Sequence, residues 1–317
     1  AGTQLSTLRA AARENGWELP LDAPGAGATV GGVLAAAAIG PRALGYRQPR
    51  DLVLGLDVVL GSGERTRCGG RVVKNVTGYD LAKLYVGSLG TLCVIDAAWL
   101  RLSPVPDRVV VLTAESANAA TACESGVRAA RCVSARACIV SLEADSAPHL
   151  IVELAGDSAS VERDADALSR DRFSRAADAT ALDAVRSQQL SLPEASGLRI
   201  RIPSVPSQLA GCCDALLTAG STVLAYPGLG FLLAGVELPT SAVSDSAVSA
   251  ADTALAAASA LAERSRGAYV VERAPLAAKR DRDVFGVRAA GVPLVRALKQ
   301  RFDPDGVLAA GRFAGRI

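Results

Sequence analysis

Between Arg71 and Ile95 the chain reads RVVKNVTGYDLAKLYVGSLGTLCVI. Lys74-Asn75, Gly78-Tyr79-Asp80 and Gly87-Ser88-Leu89-Gly90-Thr91 stand there between apolar runs. Glycine lets a backbone approach a ligand closely, and N–H groups bared in such turns bind anionic or polar ligand atoms. Each segment also has a purely structural reading. Asp80 or Thr77 can cap the helix that follows, Tyr79 can pack, and GSLGTL can be a helix C-terminal turn. Two such turns so close together strengthen the reading of a backbone cradle. A second cluster, GAGATVGG at 25–32, departs from the dinucleotide GxGxxG because Val30 holds its third glycine position and no clear strand precedes it.

Other reactive groups are scattered. The single histidine, His149, follows Pro148 at the entry to an apolar strand. Seven cysteines include no CxxC pair, and the vicinal Cys212-Cys213 falls on a predicted helix, where core packing is expected. No Ser/His/Asp set, spaced carboxylate pair or metal cluster can be assembled, so the catalytic residue stays unassigned and no metal ligand is named. The residues favour holding a ligand over transforming it by side chains alone.

The elements that must position these groups fall into three parts: 1–104, 105–275 and 276–317. In the first, Thr3 or Ser6 is expected to cap a helix running to Asn15, with a short helix at 31–38. LVLGLDVVLGSGERTRCGG reads as a hairpin around Gly-Ser-Gly, 79–86 as a helix, and 91–102 as a strand ending at Pro104. Beyond the prolines the order is strand (RVVVLTA), helix 117–131, strands RACIVSLE and HLIVELAG, and helix 158–169. After a polar connection it recurs: LRIRIP, helix 207–218, STVLAY, FLLAGVEL, helix 246–264 and AYVVERA. Strand-helix-strand-strand-helix, twice, predicts a duplicated ferredoxin-like unit forming one long antiparallel sheet with helices on one face. The tail carries helical VPLVRALKQRF and a DPDGVLAAGRF turn.

Composition narrows the classes. Of 317 residues, 34 are Lys or Arg and 32 Asp or Glu, so no nucleic-acid partner is implied. The longest uncharged run, 215–236, is broken by Gly220, Pro227, Gly228 and Gly230, and reads as two strands around a turn. With no leader in view and unpaired cysteines, a cytoplasmic location is expected. The chain opens on AGTQLSTL and contains no methionine, which points to a segment preceding residue 1.

At these residues the sequence resembles the FAD-linked oxidases of the vanillyl-alcohol oxidase type, with the PCMH-type FAD-binding fold. The matching pieces are ATVGG at 28–32, GPR at 40–42, RDLVLGLDVVLGSGE at 50–64, KNVTGYDLAKL at 74–84, VGSLGTLCVI at 86–95 and LKQRFDPDGVLAAGRF at 298–313. GGRVVKNVTGYDL followed by GSLGTL is most similar to the FAD-binding subunits of glycolate oxidase (glycolate dehydrogenase) complexes, whereas catalytic subunits carry an acidic residue where Leu89 stands. The resemblance implies an α+β chain: a PCMH-type FAD-binding domain lacking its first flavin loop, a duplicated ferredoxin-like antiparallel cap, and a C-terminal segment returning to the FAD domain.

It implies FAD as cofactor, with Thr29, Val30, Gly31, Gly32 and Gly40 near the pyrophosphate and flavin. Asn75, Gly78, Tyr79 and Asp80 would wall the isoalloxazine. Gly87, Ser88, Gly90 and Thr91 would lie along the dinucleotide, Val94 and Ile95 near its adenine end, and Arg312 would close the site. It also implies hydride transfer from glycolate or another 2-hydroxy acid, and partners comprising a large flavin-containing catalytic subunit and an iron–sulfur subunit, through which the chain could sit at the inner membrane. A stand-alone FAD-dependent D-2-hydroxy-acid oxidoreductase and a non-catalytic assembly subunit are the alternatives. The chain departs from the pattern at Cys93, where glycine is usual, at Ala309, where asparagine is usual, and in lacking the catalytic subunit's histidine pairs.

Overall fold

The computed structural model describes residues 1–70, 80–176, 180–192, 197–238, 245–279, 282–286 and 291–317. It divides into two units, Ala1–Val105 with Arg288–Ile317, and Pro106–Val287. In the first, α1 (Leu5–Glu14) leads to β1 (Trp17–Glu18), then α2 (Val30–Ala36) and the single-turn α3 (Ala43–Tyr46) and α4 (Pro49–Leu52). β2 (Val53–Val59) and β3 (Arg65–Gly69) form the expected hairpin, α5 spans Leu81–Tyr85, and β4 (Val94–Leu100) completes an antiparallel sheet of order β3-β2-β4. β5 (Ser103–Pro104) pairs with β1. Leu34, Leu56, Val58, Tyr85 and Cys93 are buried in one core that joins α2, the sheet and α5. Removing that apolar surface from water is the main force holding these short elements together.

Two local expectations are corrected. The N-cap of α1 is Gln4, without a side-chain cap bond. A bridge between Gln4 and Thr29, with the Leu5 amide donating to the Ala28 carbonyl at 2.8 Å, sets the helix start in place of a Thr3 or Ser6 hydroxyl. β4 begins at Val94, because Thr91 is held in the preceding turn.

The second unit contains β6 (Arg108–Glu115), α6 (Ala119–Ala129), β7 (Ala135–Leu142), β8 (His149–Gly156), α7 (Ser158–Arg170) and β9 (Ser174–Arg175). After α8 (Thr180–Ser191) come β10 (Gly197–Pro203), a 3-10 turn, α9 (Leu209–Thr218), β11 (Thr222–Tyr226), β12 (Phe231–Glu237), α10 (Asp245–Arg264), β13 (Val270–Arg273) and the short α11 (Leu276–Lys279). The sheet order is β13-β10-β12-β11-β7-β8-β6-β9, with every pairing antiparallel. Each half therefore has the ferredoxin-like strand order, and the halves join through β7 and β11. The duplicated ferredoxin-like antiparallel sheet read from the sequence is present, but the expectation that its helices share one face is not met, because α8 lies on the other. Cys123 on α6 and Cys213 on α9 meet at 3.8 Å, both buried, and Cys212 is buried beside them.

The expectation of a polar connection before β10 is corrected, since that stretch contains α8. Strand alternation puts α8 on the sheet face away from α6. Cys138 of β7 donates its thiol toward the Gly126 carbonyl of α6, whereas Ser141, odd in register, meets Gln188 of α8. The chain then returns to the first unit as α12 (Val292–Phe302). No described helix is long and apolar enough to cross a membrane.

Candidate functional site

α2 starts because Thr29, in an extended conformation, turns its hydroxyl to accept the Gly32 amide. The next donors are also engaged: the Val30 amide reaches the Thr3 carbonyl at 2.9 Å, and the Gly31 amide reaches the Ala1 carbonyl at 2.8 Å. A Cβ at Gly31 would lie 2.6 Å from the Ala1 side chain, so this glycine serves close chain packing. Gly40 is similar, with its open side filled by the Asp22 carboxylate, which accepts the Arg42 amide at 2.7 Å.

The other end of α2 meets the second glycine turn. The Gly87 amide donates to the Leu34 carbonyl at 2.9 Å and the Leu89 amide to the Ala35 carbonyl at 2.8 Å. These bonds take up carbonyls that a short helix would otherwise leave exposed at its C-terminus. Ser88 and Thr91 are buried, and both the Thr91 amide and its hydroxyl donate to the Ser88 carbonyl, closing the turn. Leu89 and Gly90 both have left-handed backbones, φ +55° and +72°. At Gly90 a Cβ would meet nothing within 4 Å. Its amide makes no hydrogen bond to the described residues. Open space, a left-handed backbone and an available donor together fit a ligand that approaches the main chain.

Around the turn, Asp80 accepts the Lys83 amide and caps α5. Asn75, Gly78 and Tyr79 lie outside the described residues. Val94 and Ile95 are on opposite faces of β4, the first exposed and the second buried, and pair with Val59 and Val58. Cys93 and Tyr85 lie in the core beneath, where burial pushes each up to about 12. Both stay neutral near pH 7 and supply no base there. Arg312 is exposed, and its amide donates to the Ala309 carbonyl at 3.2 Å.

A further group escapes the sequence reading. Lys299 of α12 is buried, and its ammonium donates to the Thr91 carbonyl at 2.9 Å, to Asp303 Oδ2 at 2.5 Å and to the Leu308 carbonyl at 2.6 Å. Asp303, also buried, accepts the amides of Val307 (3.0 Å) and Leu308 (2.8 Å). Burial pushes this carboxyl up, but Lys299 and the two amides outweigh it and hold it below the usual carboxylate range. Gly61, in the β2–β3 turn, has no room for a side chain because Asp303 Oδ1 would lie 2.3 Å from its Cβ. Both residues lie in the LKQRFDPDGVLAAGRF piece that carries the resemblance, but nothing in that piece singled out the pair, a Lys and an Asp four apart at a predicted helix end. Among the described residues no three His, Cys, Asp or Glu side chains gather as a metal requires.

Residues 1–69 match the FAD binding domain family. Glycolate oxidase subunit GlcE of Escherichia coli (strain K12) is 43% identical over 107 residues, 33% of this chain and 31% of that protein. Glycolate oxidase subunit GlcD of Bacillus subtilis (strain 168) is 40% identical over 39% of this chain and 26% of its own length. D-lactate dehydrogenase of Archaeoglobus fulgidus is 44% identical over 35% of this chain and 25% of its own length. The chain thus spans under a third of these relatives. Alkyldihydroxyacetonephosphate synthase superposes over 96% of this chain and 62% of its own, with a TM-score of 0.64 at 13% identity, which shows a shared fold. Residues 1–69 therefore carry sequence of the FAD binding domain type, and FAD is the cofactor this match identifies.

Proposed function

We propose that this chain is the FAD-binding subunit of a glycolate oxidase (glycolate dehydrogenase) complex that oxidises a 2-hydroxy acid. The observation that carries the reading is the Gly87–Thr91 turn, with its open left-handed Gly90 and available amide, in the unit that begins with FAD binding sequence. The names of the relatives support the substrate class, since glycolate and D-lactate each carry a hydroxyl beside a carboxylate. When bound, FAD accepts the hydride that leaves the substrate's α carbon.

The chain's own residues do the holding. The Leu34 and Ala35 carbonyls fix the turn through its amides, which leaves the Gly90 N–H to meet a polar cofactor atom. Gly87, Ser88 and Thr91 shape its wall, and Val94 and Ile95 continue it along β4. Val30, Gly31 and Gly32 back it within α2, with Thr29 as that helix's cap and Gly40 beyond its end, while Asp80 at the start of α5 and Arg312 of the C-terminal segment complete the chain's contribution to the site. An iron–sulfur subunit would be the acceptor of the electrons, and a large flavin-containing catalytic subunit the second partner. The assembly sits in the cytoplasm, held at the inner membrane through those partners.

One observation favours a second reading, a non-catalytic assembly subunit. The Val30, Gly31 and Gly32 amides at the start of α2 are already bonded within the chain. Adding FAD to the purified chain, then glycolate to the chain with its co-purified partners, separates the two. The first reading expects a yellow protein whose visible flavin band glycolate bleaches. A colourless chain that refuses FAD yet still binds the partners overturns it in favour of the second.

A further inference from the structure

We propose that Lys299 is a positioning residue for the flavin turn, joining the Thr91 carbonyl to the Asp303–Leu308 turn so that the cradle and the C-terminal segment order as one piece. The inference rests on the FAD reading of the Gly87–Thr91 turn. An ammonium carries three donors and no acceptor, and all three are spent here, on Thr91, Asp303 and Leu308. A group so engaged is neither a base nor an anion receptor. It acts as a joint.

What it joins matters. Thr91 closes its turn by donating twice to the Ser88 carbonyl, so its own carbonyl moves with the segment that contains Gly90. On the far side, Asp303 orders the following turn through the Val307 and Leu308 amides. The α12 end is braced against α5 by Phe302, whose ring meets Tyr85 edge-on at 5.6 Å, and against the β2–β3 turn by the close approach of Asp303 to Gly61. Lys299 reaches Thr91 across 208 residues of sequence, which simple helix support would not require. A buried charge is tolerated only with its partners in place, so losing any one contact loosens the others.

The test uses the full chain, FAD titration followed by flavin fluorescence quenching, thermal melting, and amide exchange on the FAD-free protein. Lys299→Met should weaken FAD binding by about tenfold or more. It should also raise exchange at Thr91, Val307 and Leu308 together. The double variant Lys299→Met/Asp303→Asn removes the stranded carboxylate, so it should melt closer to the wild type. It still lacks the tether to Thr91, so FAD binding should stay weak. Recovery of affinity along with stability in the double variant overturns the positioning role, as does a Lys299→Met chain that binds FAD as tightly as wild type; both leave the flavin reading standing. A wild-type chain that binds no FAD overturns that reading, and the positioning role with it.

Discussion

Among the described residues each unit buries a close ion pair, Arg136–Glu153 in one and Lys299–Asp303 in the other, and the two support opposite kinds of structure. Arg136 and Glu153 meet at 2.5 Å across the adjacent strands β7 and β8, inside a sheet whose backbone is already paired. Lys299 and Asp303 also meet at 2.5 Å, but their remaining capacity goes to main-chain groups of two irregular turns. A sheet satisfies its own amides and carbonyls, so its charges can be local. A backbone cradle cannot, and needs side chains from elsewhere to keep its carbonyls in place.

The hardest blow to this contrast is to strand one charge in each unit. Glu153→Ala and Asp303→Ala should each cost about 3–5 kcal/mol by chemical denaturation. Only the second should weaken FAD binding; an equal effect on FAD from both would erase the distinction.

Overpacking and backbone strain come next. Gly126→Val would press a side chain against Val140 and Pro227, whose atoms already lie 2.9 Å from a Cβ there, at about 1–3 kcal/mol. Gly90→Ala meets open space, so its cost is the left-handed backbone alone, about 1–2 kcal/mol. The comparison is sharpened if Gly126→Val leaves FAD affinity intact while Gly90→Ala lowers it, as measured by titration.

Acid should single out the first unit's pair. Asp303 titrates below its unfolded value, so its contribution is complete above about pH 3.9 and is lost as pH falls through the lower folded value. Amide exchange at Val307 and Leu308 should accelerate on that acid limb. The smallest effect is expected at Ala309, whose φ of +38° suits asparagine better than alanine. Ala309→Asn should stabilise by less than about 1 kcal/mol in a thermal melt.

The same contrast governs what could be read from the sequence. The duplicated sheet was legible because β6, β7 and β8 carry short continuous apolar runs, β10 alternates apolar and basic residues, and all break cleanly at turns. α8 was missed because its inward stripe, Leu182, Val185 and Gln189, ends in a polar residue. That glutamine is buried because its Oε1 accepts the Tyr226 hydroxyl at 3.1 Å, a partner that only the fold supplies. In the first unit the glycine turns were visible as composition, and Asp80 was correctly weighed as a cap. Lys299 could not be found this way, since lysine is seldom buried and its acceptor at Thr91 is 208 residues distant.

The eight-stranded sheet ends at β9, two residues long, and at β13, four residues long and closing on Glu272 and Arg273. Its long, apolar strands are all interior. Joining the halves through β7 and β11 therefore leaves only short margins, and β13 is further covered where the Val271 amide donates to the Val284 carbonyl at 2.8 Å and Val270 bridges Phe285, so these ends offer a poor template for a foreign strand. The duplication thus guards the unit against edge-to-edge aggregation as well as enlarging it.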